Sequence, residues 1–81
     1  MVRTVIRSPL FIKQVKHLDK FLIEKIKNQI RKILENPFIG KPLRYKRGER
    51  ALYIHPFRLI YAVRGEAIIL LKFDHRKRVY R

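Results

Sequence analysis

Apolar and polar positions along the chain change period twice. Val2, Thr4 and Ile6 alternate with Arg3, Val5 and Arg7, which predicts a first strand with one mostly apolar face made by Val2, Thr4 and Ile6. The spacing then turns helical. Phe11, Val15 and Leu18 recur at i, i+4 and i+7 behind Ser8-Pro9, a serine N-cap with proline at the first helical position, where its missing N–H is not needed. Asp19 reads as a second cap. Lys20 to Glu35 follows with Leu22, Ile23, Ile26, Ile30, Ile33 and Leu34 on one side and Lys20, Lys25, Lys27, Arg31 and Lys32 on the other. Asn36-Pro37 closes that helix, because a residue before proline avoids the helical region.

The second half returns to strand spacing. Gly40-Lys41-Pro42 is a turn signal, Leu43-Arg44-Tyr45 reads as a short edge strand, and Lys46 to Arg50 is a basic turn. A hairpin comes next: Ala51–Ile54, a tight His55-Pro56 connection, and Phe57–Val63. Beyond Arg64-Gly65-Glu66, the nearly continuous apolar run Ala67–Phe73 is the pattern of a strand buried on both sides. The chain closes on Asp74-His-Arg-Lys-Arg-Val-Tyr-Arg81. Strand, helix, helix and then a run of strands predict the α+β class, in the order β-α-α-β-β-β. Two N-terminal helices pack on one face of a mainly antiparallel sheet of four or five strands. The other face is expected to stay open, with Arg50, Arg58 and the tail converging on it.

The 81 residues suffice for one domain with a single modest core. The opening residues are too charged for a signal segment, and no apolar run approaches the ~20 residues of a membrane span, so a cytoplasmic protein is expected. The absence of cysteine excludes disulfides, thiolate metal sites and cysteine nucleophiles.

Charge narrows the partners. Twenty-one Lys and Arg against six acids give a net charge of +15, which calls for a polyanion or an acidic partner protein. A thermophile-like Lys-rich surface would carry balancing Glu, and this chain does not.

Most enzyme chemistries fall away. The three histidines, His17, His55 and His75, lie far apart and form no ligand spacing, so neither metal nor cofactor is expected. The acids are scattered, Ser8 is explained by capping, and the three glycines stand alone in turns. What remains is guanidinium, ammonium, imidazole and phenol: Arg44, Lys46, Arg47, Arg50, Arg58, His75, Arg76, Lys77, Arg78 and Tyr80. That set suits phosphate, which the planar fork of arginine pairs through two oxygens. Arg58 has two readings: its stem covers the sheet while its head reaches water or an acid, or it floors an anion site. Tyr45, Tyr53, Tyr61 and Tyr80 are candidates to stack on unpaired bases, although Tyr53 and Tyr61, on strands, are expected in or near the core. RNA cleavage fits such a set, because the 2′-hydroxyl can attack the adjacent phosphate when the protein supplies an acid, a base and positive charge.

Four features in order, Ile-Leu-Glu-Asn-Pro37, Leu-Arg-Tyr45, Phe-Arg-Leu-Ile-Tyr61 and His-Arg-Lys-Arg-Val-Tyr80, resemble the RelE/ParE superfamily of toxins from type II toxin–antitoxin systems across essentially the whole chain. The resemblance implies the fold predicted above. Its RelE-like branch implies a ribosome-dependent mRNA endonuclease that cuts the message by metal-independent 2′-hydroxyl attack. Arg58 would contact the scissile phosphate, Arg76 would match the arginine of the His-Arg element, and Tyr80 the terminal tyrosine of acid–base work. Arg50 is the nearest match to the family's basic pair on the preceding strand, flanked here by Glu49 and Ala51. Arg44 or Lys46 could substitute from the loop, and His75 is a second candidate base. RNA binding would fall to Arg44, Lys46, Arg47, Lys77 and Arg78, with ribosomal RNA also meeting the Lys-rich helix face. The partner implied is an antitoxin with an acidic, amphipathic segment. Three alternatives stand beside this: a ParE-like DNA gyrase inhibitor, a catalytically dead relative that only binds its partner, and a non-catalytic basic RNA-binding domain.

Overall fold

A computed structural model describes residues 4–44 and 46–79, so Val2, Arg3, Tyr45 and Tyr80 lie outside the described residues. The elements are β1 (Thr4–Arg7), α1 (Pro9–Val15), α2 (Lys20–Glu35), β2 (Lys41–Pro42), β3 (Glu49–Ile54), β4 (Phe57–Arg64) and β5 (Ala67–His75). The strands form one mixed sheet in the order β1-β5-β4-β3-β2. Strands β2 to β5 are antiparallel, and β1 returns to the far edge parallel to β5, with Val5 opposite Ile68. Both helices cover one face, giving the expected α+β layers.

Local signals set the helices. The Ser8 hydroxyl oxygen accepts the Phe11 N–H at 3.0 Å, and Asp19 Oδ1 accepts the Leu22 N–H at 2.8 Å. α2 has the predicted bounds. α1 stops at Val15 rather than running to Leu18, which lies in the connecting turn and still packs on the core. Helix α1 also completes the sheet. Strand β1 ends opposite Leu70, leaving later backbone groups of β5 without a strand neighbour on that side. There the Ser8 hydroxyl donates to the Leu71 carbonyl at 2.8 Å, and the Phe73 N–H donates to Gln14 Oε1 at 2.7 Å.

The core joins Phe11, Ile26 and Ile33 of the helices to Leu59, Tyr61, Ile68, Leu70 and Phe73 of the sheet. Burying each such side chain is worth about 1.5–3 kcal/mol. Among the described residues no helix is long and apolar enough to cross a membrane.

Four expectations are corrected. The inward residue of β1 is Val5, while Ile6 is 46% exposed, because pairing Val5 with the fully buried Ile68 sets which face turns inward. The edge strand is Lys41–Pro42, not Leu43–Tyr45; Lys41 faces Ala51 and Pro42 faces Arg50, an edge position that tolerates proline. Gly40, just before this strand, donates its N–H to the Tyr61 hydroxyl at 2.9 Å. Strand β5 is not equally buried on both sides: Ile68, Leu70 and Phe73 are buried, whereas Ile69, Leu71 and Lys72 are half-buried. The face away from the helices is not uniformly open, since Ile60 and Ala62, on the central strand, are 1% and 2% exposed.

Candidate functional site

The two-residue connection His55-Pro56 pairs Ile54 with Phe57 and therefore Tyr53 with Arg58. Arg58 in turn faces Asp74 of β5, so Tyr53, Arg58 and Asp74 form one row across the helix-free face. The Arg58 guanidinium carbon lies 4.3 Å from the centre of the Tyr53 ring, a cation–π contact that holds the side chain along the sheet. Asp74 is otherwise engaged: its Oδ1 accepts the His75 N–H at 2.7 Å and lies 3.3 Å from both Nε and the second terminal nitrogen of Arg78. Arg58 Nε is buried and, among the described residues, has no hydrogen-bond partner. A buried donor in that state costs about 1–3 kcal/mol, and such deficits are expected where a ligand completes the site.

Beside Arg58 opens a cleft of about 510 Å³, lined by Lys41, Leu43, Arg44, Ala51 and Tyr53. Three cations, Lys41, Arg44 and Arg58, two of them planar forks, and the face of an aromatic ring suit a phosphodiester with a base attached. Among the described residues no three His, Asp or Glu side chains gather where they could hold a metal ion.

The other residues singled out in the sequence divide. Arg44 joins Arg58 in the cleft. Arg76 comes to the same end of the hairpin, its N–H donating to the Pro56 carbonyl at 3.0 Å and its side chain exposed. Arg50 does not join them, which corrects its expected place beside Arg58. Strand alternation turns it to the helix-covered face, where it donates to the carbonyls of Gly40 at 2.8 Å and Phe38 at 3.2 Å and lies over the Phe38 ring. Lys46 and Arg47 sit in the turn before β3, whose first residue, Glu49, is roughly 13 Å along the strand from Tyr53 at ~3.3 Å per residue. His75 Nδ1 accepts the Lys77 N–H at 3.2 Å, and the ring stands edge-on to Phe57, on the helix-side face. Arg78 is held by Asp74, Lys77 is exposed, and Tyr80 lies outside the described residues.

Tyr61 is the core tyrosine expected. Its hydroxyl donates to the Pro37 carbonyl at 2.7 Å and accepts from Gly40, and burial raises its pKa above 10.0 against the opposing pull of the Gly40 N–H and the Arg50 charge. Tyr53, expected near the core, is instead 46% exposed on the cleft wall with its hydroxyl hydrogen-bonded to His55 Nδ1. Lys41, read as part of a turn, lines the same cleft. The signal for Tyr53 was present: a two-residue hairpin turn at His55-Pro56 puts it directly opposite Arg58.

The family described as "ParE toxin of type II toxin-antitoxin system, parDE" matches residues 5–80. The chain belongs to this family of toxins. Among solved structures, the toxin is similar to a chain of the intact RelBE toxin–antitoxin complex of E. coli, with a TM-score of 0.85 and 20% identity over 95% of this chain and 100% of the other. YafQ from E. coli aligns at a TM-score of 0.79 and 19% identity, over 99% and 100% of the two chains. The RelBE2 toxin–antitoxin complex of Mycobacterium tuberculosis aligns at 0.77 and 22%, over 94% and 100%. At such identities the likeness is one of fold. No curated protein sequence matches the toxin.

Proposed function

We propose that this toxin is a ribosome-dependent mRNA endonuclease that cleaves by metal-independent attack of the 2′-hydroxyl on the adjacent phosphate, acting in the cytoplasm. The observation that carries the reading is Arg58: a guanidinium at the edge of a basic cleft, with a buried Nε lacking any partner among the described residues. Arg58 binds the scissile phosphate and offsets charge as the phosphorane forms, Arg44 and Lys41 take neighbouring phosphates, and Tyr53 offers a face to a base. Arg76 and Tyr80 enter through the motif His-Arg-Lys-Arg-Val-Tyr80, Arg76 near the hairpin end and Tyr80 as the acid–base phenol of the resemblance. Lys46, Arg47 and Lys77 contact ribosomal RNA.

The partner is an antitoxin, as in the RelBE and RelBE2 complexes, with an acidic amphipathic segment that neutralises the cleft. Arg50, bonded to the loop at Phe38 and Gly40, supports the architecture.

The family match to a ParE toxin favours a second reading, inhibition of DNA gyrase. One experiment separates the two: message integrity on programmed ribosomes beside gyrase supercoiling, with wild type, Arg58→Ala and Tyr80→Phe. Cleavage in the A site, unaffected by chelator and lost in both variants, is expected. Intact message with inhibited gyrase would transfer the toxin to the second reading.

A further inference from the structure

The endonuclease reading leaves the general base unnamed, because this chain has Ala51 and Arg50 where the resemblance calls for a basic pair. We infer that the Tyr53 hydroxyl, coupled to His55 Nδ1, is the base that takes the proton of the attacking 2′-hydroxyl. This rests on the endonuclease reading.

Three observations converge. The first is placement. Tyr53 is directly opposite the phosphate-binding Arg58 and lines the same cleft, so a phosphate on the guanidinium brings its 2′-hydroxyl to the phenol side of that row. Tyr61, held in the core between the Pro37 carbonyl and the Gly40 N–H, has no such access.

The second is the hydrogen bond from Tyr53 to His55. An imidazole with its proton on Nε2 leaves Nδ1 as an acceptor, so the phenol can pass its own proton on as it receives another. The rings meet edge to face with centroids 5.4 Å apart, which holds the pair in register. His55 also opens onto a second cavity beside Lys25 and Lys32 of α2, an outlet to solvent.

The third is the guanidinium over the Tyr53 ring. A cation on the π-face holds the ring, and with it the hydroxyl, beside the phosphate site. One arginine thus serves both the phosphate and the base.

The step balances. The 2′-oxygen bonds to phosphorus and the bond to the 5′-oxygen breaks. The 2′-hydroxyl proton goes to the Tyr53 oxygen, and the phenol proton goes to His55 Nδ1. The 5′-oxygen takes a proton from the general acid of the endonuclease reading, which solvent recharges, and the imidazolium returns its own proton to solvent. The products are a 2′,3′-cyclic phosphate and a 5′-hydroxyl.

If Tyr53 only stacks on a base, Tyr53→Phe loses nothing, since the ring beneath Arg58 remains. The test is steady-state cleavage on programmed ribosomes by wild type, Tyr53→Phe, His55→Ala and the double variant, with thermal melts to confirm folding. Tyr53→Phe is expected to lower kcat by about a hundredfold or more with KM unchanged. His55→Ala should lower it too, and the double variant should fall no further than Tyr53→Phe, as for groups acting as a unit. Wild-type turnover in Tyr53→Phe, or independent losses that multiply in the double variant, would overturn the pair while leaving the endonuclease reading in place. A wild-type toxin that leaves the message intact would remove both.

Discussion

Asp74 faces Arg58 directly across the β4–β5 ladder, yet its carboxylate bonds Arg78, four residues along its own chain. The acid best placed to neutralise Arg58 is thereby drawn toward the tail. Arg78→Ala is expected to release Asp74 toward Arg58 and lower RNA affinity by a factor of about two to five, the reach of a part-exposed ion pair. Adding Asp74→Ala should restore affinity. A filter-binding comparison checks this; unchanged affinity in Arg78→Ala would mean that Asp74 does not compete for Arg58.

Gly40 touches the core where no side chain fits. A Cβ there would stand 2.7 Å from both Cε1 and the hydroxyl of Tyr61 and 3.1 Å from the Ala51 carbonyl. Gly40→Ala should therefore lose about 1–3 kcal/mol, seen as a lower urea midpoint at unchanged m-value.

Arg50 ties the loop after α2 to the sheet through two carbonyls. Arg50→Leu is expected to cost about 1–2 kcal/mol in stability and to leave cleavage by the folded protein within twofold of wild type. A large fall in kcat at full folding would return Arg50 to the chemistry.

Tyr61 makes stability fall in alkali. Burial raises its folded pKa above 10.0, so the unfolded chain loses that proton first as pH rises. The contribution is complete below about pH 10 and is lost as pH climbs through the folded value. Urea titrations from pH 8 to 11 should show a steeper decline in wild type than in Tyr61→Phe, which is less stable at neutral pH because the Gly40 N–H and Pro37 carbonyl lose their partner.

Lys46 and Arg47, at the opposite end of β3 from Tyr53, are expected to act on affinity alone. Removing both should reduce the salt dependence of ribosome binding by about one unit of slope for each phosphate that is no longer neutralised, with kcat unchanged at saturation.

The elements were legible in the chain because their signals are local. Ser8 and Asp19 cap the helices with their own side chains, Asn36-Pro37 ends the second, and the change of apolar period marks where helix gives way to strand. Arg58 stood out for the same reason, a charge between apolar neighbours on a strand. Partnership across the sheet was another matter. Arg50 and Arg58 both lie on the hairpin, but pairing Arg50 with Tyr61 and Arg58 with Tyr53 sends them to opposite faces. Pairing Val5 with Ile68 likewise turns Val5 inward, and the bond from Gly40 to Tyr61 accompanies an edge strand at Lys41–Pro42. Strand side chains alternate with a period of two, so one residue of register reverses a face, and register is set by pairs far apart in sequence. The pairing of Tyr53 with Arg58 was implicit in the two-residue hairpin turn, but the place of Lys41 in the cleft was settled only by the folded sheet.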